Sequence, residues 1–270
     1  MSKILINGCN ETCVDVRDRG FQYGDGVFET IAWRDNTLQL WDEHMQRMQQ
    51  ACKRLSLACV EASVWLDDLK KLQLENNAVI KLSITRGLSG RGYAYTQGDS
   101  VTRVAAVYPW PDYTENNKQG ITAKFCHTPI SINPLLAGIK HLNRLDNVLA
   151  RNEWHDTDIS EGFMLDNQQH IIEGTMSNVF CVLDDELYTP RLDLCGVEGV
   201  MRGQVIKLAE SMNIPVNIIE ISKQNFLQMD AIFVTNSIIG LWKVNKIVDG
   251  EVLIEFAQND LVSKLKNNLT

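Results

Sequence analysis

NPLLAGIKHLNRLDNVLAR, residues 133–151, is the stretch around which the rest of the chain is arranged. Pro134 and Gly138 interrupt regular structure on the near side of Lys140. From there Leu142, Leu145, Val148 and Leu149 recur at helical spacing, which predicts a helix beginning at Leu142. Lys140 is therefore expected in a tight connection just before a helix, with its backbone fixed on both sides. A lysine held in this way can present its amine into a cleft. Desolvation and nearby cationic groups then lower its pKa, so that it can serve as nucleophile or base. A surface lysine at a helix start has the same local pattern, so the downstream residues must decide between the two.

On the N-terminal side, residues 3–7 read as a short strand, and Gly20, Gly24 and Gly26 bend the segment that follows. FETIAW and TLQL flank Asp35–Asn36 as a hairpin. Residues 41–55 have helical spacing through Met45, Met48, Ala51 and Leu55, with Arg47 and Arg54 off that stripe, and a second helix is expected over 62–74. AVIKLSITRG (78–87) and VTRVAAVYPW (101–110) alternate as strands, separated by the glycine-rich loop GLSGRGYAYTQGD (87–99). PWPDYTENNKQG (109–120), with two prolines and a polar run, reads as a linker. The expected organisation is an N-terminal α+β domain over 1–108, the linker, and a C-terminal domain over 121–270 that carries Lys140.

Beyond the linker, strands are expected at 161–166, 170–173, 177–183 and 186–189. A glycine loop precedes a helix from about Met201, VNIIEI and AIFVTN follow as strands, and a hairpin turns at Asp249–Gly250 before a closing helix from about Glu255. The class is α+β with two sheet-containing domains, and a cleft between such domains is the natural place for a site.

Composition narrows the function classes. The 270 residues are 44% hydrophobic and 22% charged, ordinary values for a globular protein. A net charge of −8, with no Lys or Arg run, argues against a nucleic-acid surface. No apolar stretch approaches the ~20 residues of a membrane span. MSKILING leads straight into a strand pattern, so no signal peptide is expected. The seven cysteines include no CxxC pair, and the histidines at 44, 127, 141, 155 and 170 lack ligand spacing, so no metal site is expected. Reduced thiols in a cytoplasm fit this usage. Asp25, among glycines, is expected to cap a turn.

Three further features bear on Lys140. Glu173 lies in IIEGTMSNVF among residues that favour burial, and a buried carboxylate needs a cationic or hydrogen-bonding partner. A pyridinium nitrogen would serve as well as an arginine. GVEGVMRG (196–203) is a glycine loop entering a helix, where backbone N–H groups and the helix dipole favour an anion. VTNS (234–237) adds hydroxyl and amide donors at a strand end, and Arg47 could add a charge-assisted contact. Lysine, buried glutamate and anion cradles together suggest a pyridoxal phosphate site.

RGFQYGDGVFET (19–30), HMQRM (44–48), ITRGLSGRGY (84–93), the Lys140 stretch, EGTMSNVF (173–180) and GVMRG (199–203) together resemble the fold-type IV pyridoxal-phosphate enzymes, nearly end to end. That class includes the branched-chain and D-amino-acid aminotransferases. The GRGY loop and KHLNRL lean toward its lyase branch, which acts on aminodeoxychorismate. The resemblance implies a smaller N-terminal α/β domain and a larger, β-barrel-like C-terminal domain with helices. It implies that Lys140 forms the Schiff base and that Glu173 holds the pyridine nitrogen. Arg47, Val200, Met201 and Asn236 would line the phosphate pocket, the middle two through backbone N–H groups, and Asn178 would join the cofactor-binding set. Phe28, Arg91, Tyr93 and Tyr108 would meet substrate. Val200–Met201 departs from relatives that often carry a hydroxyl residue there, so phosphate binding would lean on backbone donors. A cytoplasmic homodimer is implied. So is β-elimination of a small-molecule substrate to 4-aminobenzoate and pyruvate, with Lys140 abstracting the proton. An aminotransferase on the same scaffold, for D- or branched-chain amino acids, and a non-catalytic binding protein are the alternatives.

Overall fold

In a computed structural model of the chain, which describes residues 3–74, 76–95 and 100–269, the elements alternate much as their patterns predict. The first set is β1 (Lys3–Ile6), α1 (Arg19–Tyr23), β2 (Gly26–Arg34), β3 (Thr37–Leu38), α2 (Trp41–Arg54), α3 (Ala62–Lys71), β4 (Ala78–Thr85) and β5 (Thr102–Pro109). The second is α4 (Thr114–Gln119), β6 (Ile121–Phe125), α5 (Leu145–Arg151), β7 (Ile159–Leu165), β8 (His170–Gly174), β9 (Asn178–Leu183), β10 (Glu186–Pro190) and α6 (Val200–Ser211). It continues through β11 (Val216–Ile219), β12 (Ile221–Ser222), α7 (Lys223–Phe226), β13 (Ala231–Asn236), β14 (Gly240–Asp249), β15 (Val252–Glu255) and α8 (Asp260–Asn268). Among the described residues no helix is long and apolar enough to cross a membrane.

Two compact units result: Met1–Pro111 with Ile139–Asn143, and Asp112–Gly138 with Arg144–Thr270. The boundary falls inside the expected linker, but residues 114–119 of that segment form α4. The placement of Lys140 differs from the sequence expectation, because 139–143 joins the first unit rather than the C-terminal one. The reason is backbone pairing. Phe28 N–H donates to Lys140 O and Leu142 N–H to Gly26 O, each at 3.0 Å, so 140–142 lies extended along β2. Leu142 is thereby withheld from the helix, and α5 begins three residues later than its apolar spacing predicts.

The first unit is an antiparallel five-stranded sheet in the order β1-β5-β4-β2-β3. Asp35 and Asn36 both take positive φ, +51° and +57°, the turn that matches the twist of a two-residue hairpin. The inward residues Ile31, Ile80, Leu82 and Ile84 meet Met48 of α2 and Trp65 of α3 in one core. Burying each such side chain contributes about 1.5–3 kcal/mol.

The second unit is a ten-stranded mixed sheet whose main path is β11-β10-β9-β13-β14-β6-β7-β8-β12, with β15 on β14. Four strands separate β9 from β8 along that path, yet Gly174 N–H donates to Ser177 O at 2.7 Å across their short connection. The sheet must curl for both to hold, which is the barrel-like form expected of this domain. Its core runs through Phe163, Phe226, Val234 and Trp242. The stripe on α5 does not contribute: Leu145, Val148 and Leu149 are 74%, 51% and 60% exposed, and only Ala150 is buried.

Candidate active site

Glu173 lies on β8, only 4% exposed, opposite Met164 of β7. The ladder slips between Met164 and Leu165, leaving Ile172 as an extra residue. Such a bulge turns the strand where a side chain must be re-aimed. The Glu173 Oε2 accepts the Val197 N–H at 2.8 Å, and the Asn178 Nδ2 donates to Val197 O at 2.8 Å. Both backbone polar groups of Val197 in the glycine loop are therefore held, by the residues on either side of the β8–β9 connection.

That connection is itself held by Glu161 of β7, a residue sequence reasoning passes over. It is fully buried and accepts from Thr175 N–H (2.9 Å), Thr175 Oγ1 (2.6 Å) and Ser177 Oγ (2.6 Å). Burial raises the Glu161 pKa, against the hydrogen bonds from Ser177 and Thr175 that act to lower it. No local motif marks it, because its side-chain partners lie 14 and 16 residues away.

The gripped loop leads into α6. Gly196 takes φ +84°, and Gly199 is the N-cap, with no side-chain hydrogen bond capping the helix. A Cβ on Gly199 would sit 1.9 Å from Asn178 Oδ1, so only glycine lets the loop approach this closely. The first-turn N–H groups of Val200 and Met201 thus form an anion-favouring end beside a fixed carboxylate. Asn236, at the end of β13, donates to Met176 O (2.9 Å) and accepts from Ile238 and Ile239 N–H (2.8 and 2.9 Å). It ties the VTNS turn to the β8–β9 connection. Arg144, the residue before α5, is buried enough that its pKa is lowered, with Glu173 and Asp146 opposing that shift. It is a cationic neighbour of Glu173 that the sequence reading did not single out.

In the first unit, the Lys140 Nζ lies 4.5 Å from the centroid of the Phe28 ring, and the Lys81 Nζ lies 4.9 Å from it. Two ammonium groups therefore lie against one aromatic ring of β2. Arg47 projects from α2 to Glu29, donating from Nε at 2.8 Å and also from Nη2. His44 Nδ1 meets the same carboxylate at 2.6 Å. Glu29 is 1% exposed; burial pushes its pKa up, but Arg47 and His44 outweigh this and hold it down at about 2.

The four substrate-side residues lie on two parts of the first unit, the sheet and the loop after β4. Arg91 and Tyr93 lie on the exposed loop after β4, with Tyr93 86% exposed. Residues 96–99 of that loop lie outside the described residues. Phe28 aligns through Ser83 with Val104, so Tyr108 shares its face of the sheet but lies four residues along β5, ~13 Å away by strand rise. Asp25 does not cap a turn. It accepts from Arg19 (2.9 Å) and Arg86 (2.8 and 3.1 Å), while Asp18 caps α1 through the Gly20 N–H at 2.7 Å.

The chain matches the family model for amino-transferase class IV over residues 26–247. It is 35% identical to an aminodeoxychorismate lyase of Vibrio harveyi over 266 residues, 98% of each chain. A crystal structure of 4-amino-4-deoxychorismate lyase from Pseudomonas aeruginosa superposes with a TM-score of 0.93 at 37% identity, covering 98% of this chain and 97% of that one. The branched-chain amino acid aminotransferase from Escherichia coli superposes at 0.84 with 25% identity, covering 98% and 91%. With its antiparallel first sheet, its mixed, barrel-like second sheet and these likenesses across nearly its whole length, the chain belongs to the class IV aminotransferase family.

Proposed function

We propose that this protein is a pyridoxal-phosphate-dependent lyase that converts 4-amino-4-deoxychorismate to 4-aminobenzoate and pyruvate, a step that supplies 4-aminobenzoate for folate synthesis. The observation that carries the cofactor assignment is the grip of Glu173 and Asn178 on Val197 beside the uncapped start of α6. That donor set suits a group with a basic ring nitrogen at one end and a phosphate at the other. Glu173 would hold the ring nitrogen, the N–H groups of Val200 and Met201 would take the phosphate, and Asn178 and Asn236 would keep the surrounding turns in place. Arg47, oriented by Glu29, is assigned to the phosphate as well. Pyridoxal phosphate bound there supplies an aldehyde that joins to amines and a ring that draws electrons from the adjacent carbon.

The chain's own residues do the rest. The Lys140 amine takes the proton from the amine-bearing carbon of the substrate ring. The electron pair left behind drives cleavage of the bond to the enolpyruvyl oxygen, and the six-membered ring becomes aromatic. Lys140 then delivers a proton to the methylene carbon of the departing enolate, which becomes pyruvate. Aromatisation makes the sequence downhill, so orientation and the proton shuttle are what the protein contributes. Phe28, Arg91, Tyr93 and Tyr108 are assigned to the substrate, with Arg91 facing one of its two carboxylates. The greater identity to the lyases than to the branched-chain aminotransferase favours elimination over amino-group transfer.

The test is borohydride reduction followed by peptide mass spectrometry, with 4-aminobenzoate measured in parallel. The cofactor is expected on Lys140, and Lys140→Ala should lose both adduct and turnover. Full activity in that variant would refute the assignment. Rapid amino transfer to 2-oxoglutarate without 4-aminobenzoate would instead favour the aminotransferase. The same reading places the protein in the cytoplasm as a homodimer, with its cysteines as thiols.

A further inference from the structure

The loop that carries Arg91 and Tyr93 follows β4 and is exposed, yet one buried side chain collects its backbone. Arg19, 3% exposed, donates from Nη1 to Gly92 O at 2.8 Å and to Ala94 O at 3.4 Å, and from Nη2 to Tyr93 O at 3.0 Å. Its Nε is held by Asp25 Oδ2 at 2.9 Å. Asp25 in turn holds Arg86, whose guanidinium stacks 3.7 Å from the Tyr95 ring centroid and donates to Leu55 O and Ser56 O. The near end of the loop is fixed too: Arg19 N–H donates to Gly87 O at 2.9 Å, and Asp18 bridges Leu88. Gly92 takes φ +98° with open space at its Cβ position, and beside the guanidinium the Tyr93 ring lies 5.5 Å from that of Tyr23.

We propose that Arg19, oriented by Asp25, is a positioning residue that holds the 91–94 backbone in the form that presents Arg91 and Tyr93 to a dicarboxylate substrate. The proposal rests on the lyase reading above for the identity of that substrate. Its physical basis is pre-organisation. A glycine-containing loop that orders only on binding subtracts its ordering free energy from affinity, whereas one already clamped does not. A planar fork with five donors can satisfy three carbonyls and a carboxylate together, which an ammonium on a flexible stem cannot. The clamp acts on binding and touches no proton-transfer step, so it should affect KM and leave kcat nearly unchanged.

The experiment uses the cofactor-loaded enzyme and its Arg19→Lys and Arg19→Gln variants. Arg19→Lys keeps the charge beside Asp25 and decides the matter if Arg19→Gln does not fold. Trypsin cleavage of the native protein after Arg91 reads the loop directly, without reference to activity. Expected for Arg19→Lys are cleavage at Arg91–Gly92 and KM both raised about tenfold, kcat within about twofold, and an unchanged yield of the borohydride-fixed lysine adduct. An unchanged cleavage rate overturns the clamp. Faster cleavage with unchanged KM overturns the assignment of the loop to substrate. If the wild type forms no 4-aminobenzoate while the variant is still cut faster, the lyase reading fails and the clamp stands.

Discussion

Glu29 shows how much one buried carboxylate can carry. It projects from β2 with Arg47 and His44 on its two oxygens, and its pKa is held at about 2 against an ordinary value of 4.5. An acid with a depressed folded-state pKa contributes stability that is fully present above 4.5 and lost as pH falls toward about 2. Glu29→Gln should therefore lower the unfolding free energy at neutral pH by about 3 kcal/mol, with the gap to wild type closing as pH falls from about 4.5 to about 2. Denaturant titrations at several pH values measure this, and a gap independent of pH would contradict it. If Arg47 also serves phosphate, the variant should bind cofactor more weakly as well, because its guanidinium loses the partner that aims it.

At the scale of elements, the loop entering α6 depends on contacts that tolerate no added atom. The β8–β9 connection, stapled by Glu161, sets the spacing of Glu173 and Asn178, and those two residues set the position of Val197. Gly199 meets Asn178 so closely that Gly199→Ala must push the amide away. That variant should keep its fold, since the second unit's core lies in other residues, and should bind pyridoxal phosphate about tenfold more weakly, as the loss of one well-placed hydrogen bond would produce. Titrating the apoprotein with cofactor and following the visible absorption checks this. Equal affinity would show that the loop can relax without consequence. α5 was legible as a helix from its spacing, but not as to what its apolar residues face. Its start lies beyond the point its spacing predicts because the pairing of 140–142 with β2 depends on residues more than a hundred positions away.

For the whole molecule, the outward stripe of Leu145, Val148 and Leu149 is the feature that asks for a partner. Three large apolar side chains at helical neighbours form a contiguous patch, and exposed patches of this kind mark contact surfaces. In the homodimer proposed above, this patch is placed at the subunit interface, where each leucine would contribute about 1.5–3 kcal/mol on burial. Leu149→Asp should then shift the mass measured by light scattering from dimer toward monomer at micromolar concentration. A wild-type monomer, or a variant dimer as stable as wild type, would remove α5 from the interface.

By itself, the sequence determined the elements whose causes are local. These are the Asp35–Asn36 hairpin, the alternating strands β4 and β5, the helix entered from a glycine loop at α6, and a Glu173 placed in a strand that had to be buried. Backbone φ preferences, side-chain periodicity and helix-start chemistry act over a few residues, and a linear reading can follow them. The tertiary structure alone decided that 139–143 joins the first unit, that Arg47 is aimed by Glu29, that Asp25 links two arginines and that Glu161 staples the β8–β9 connection. Each of these depends on a charge or backbone group brought close by sheet register and packing. The free energy of those pairings is settled only once the polar groups are buried together, and no spacing along the chain encodes it.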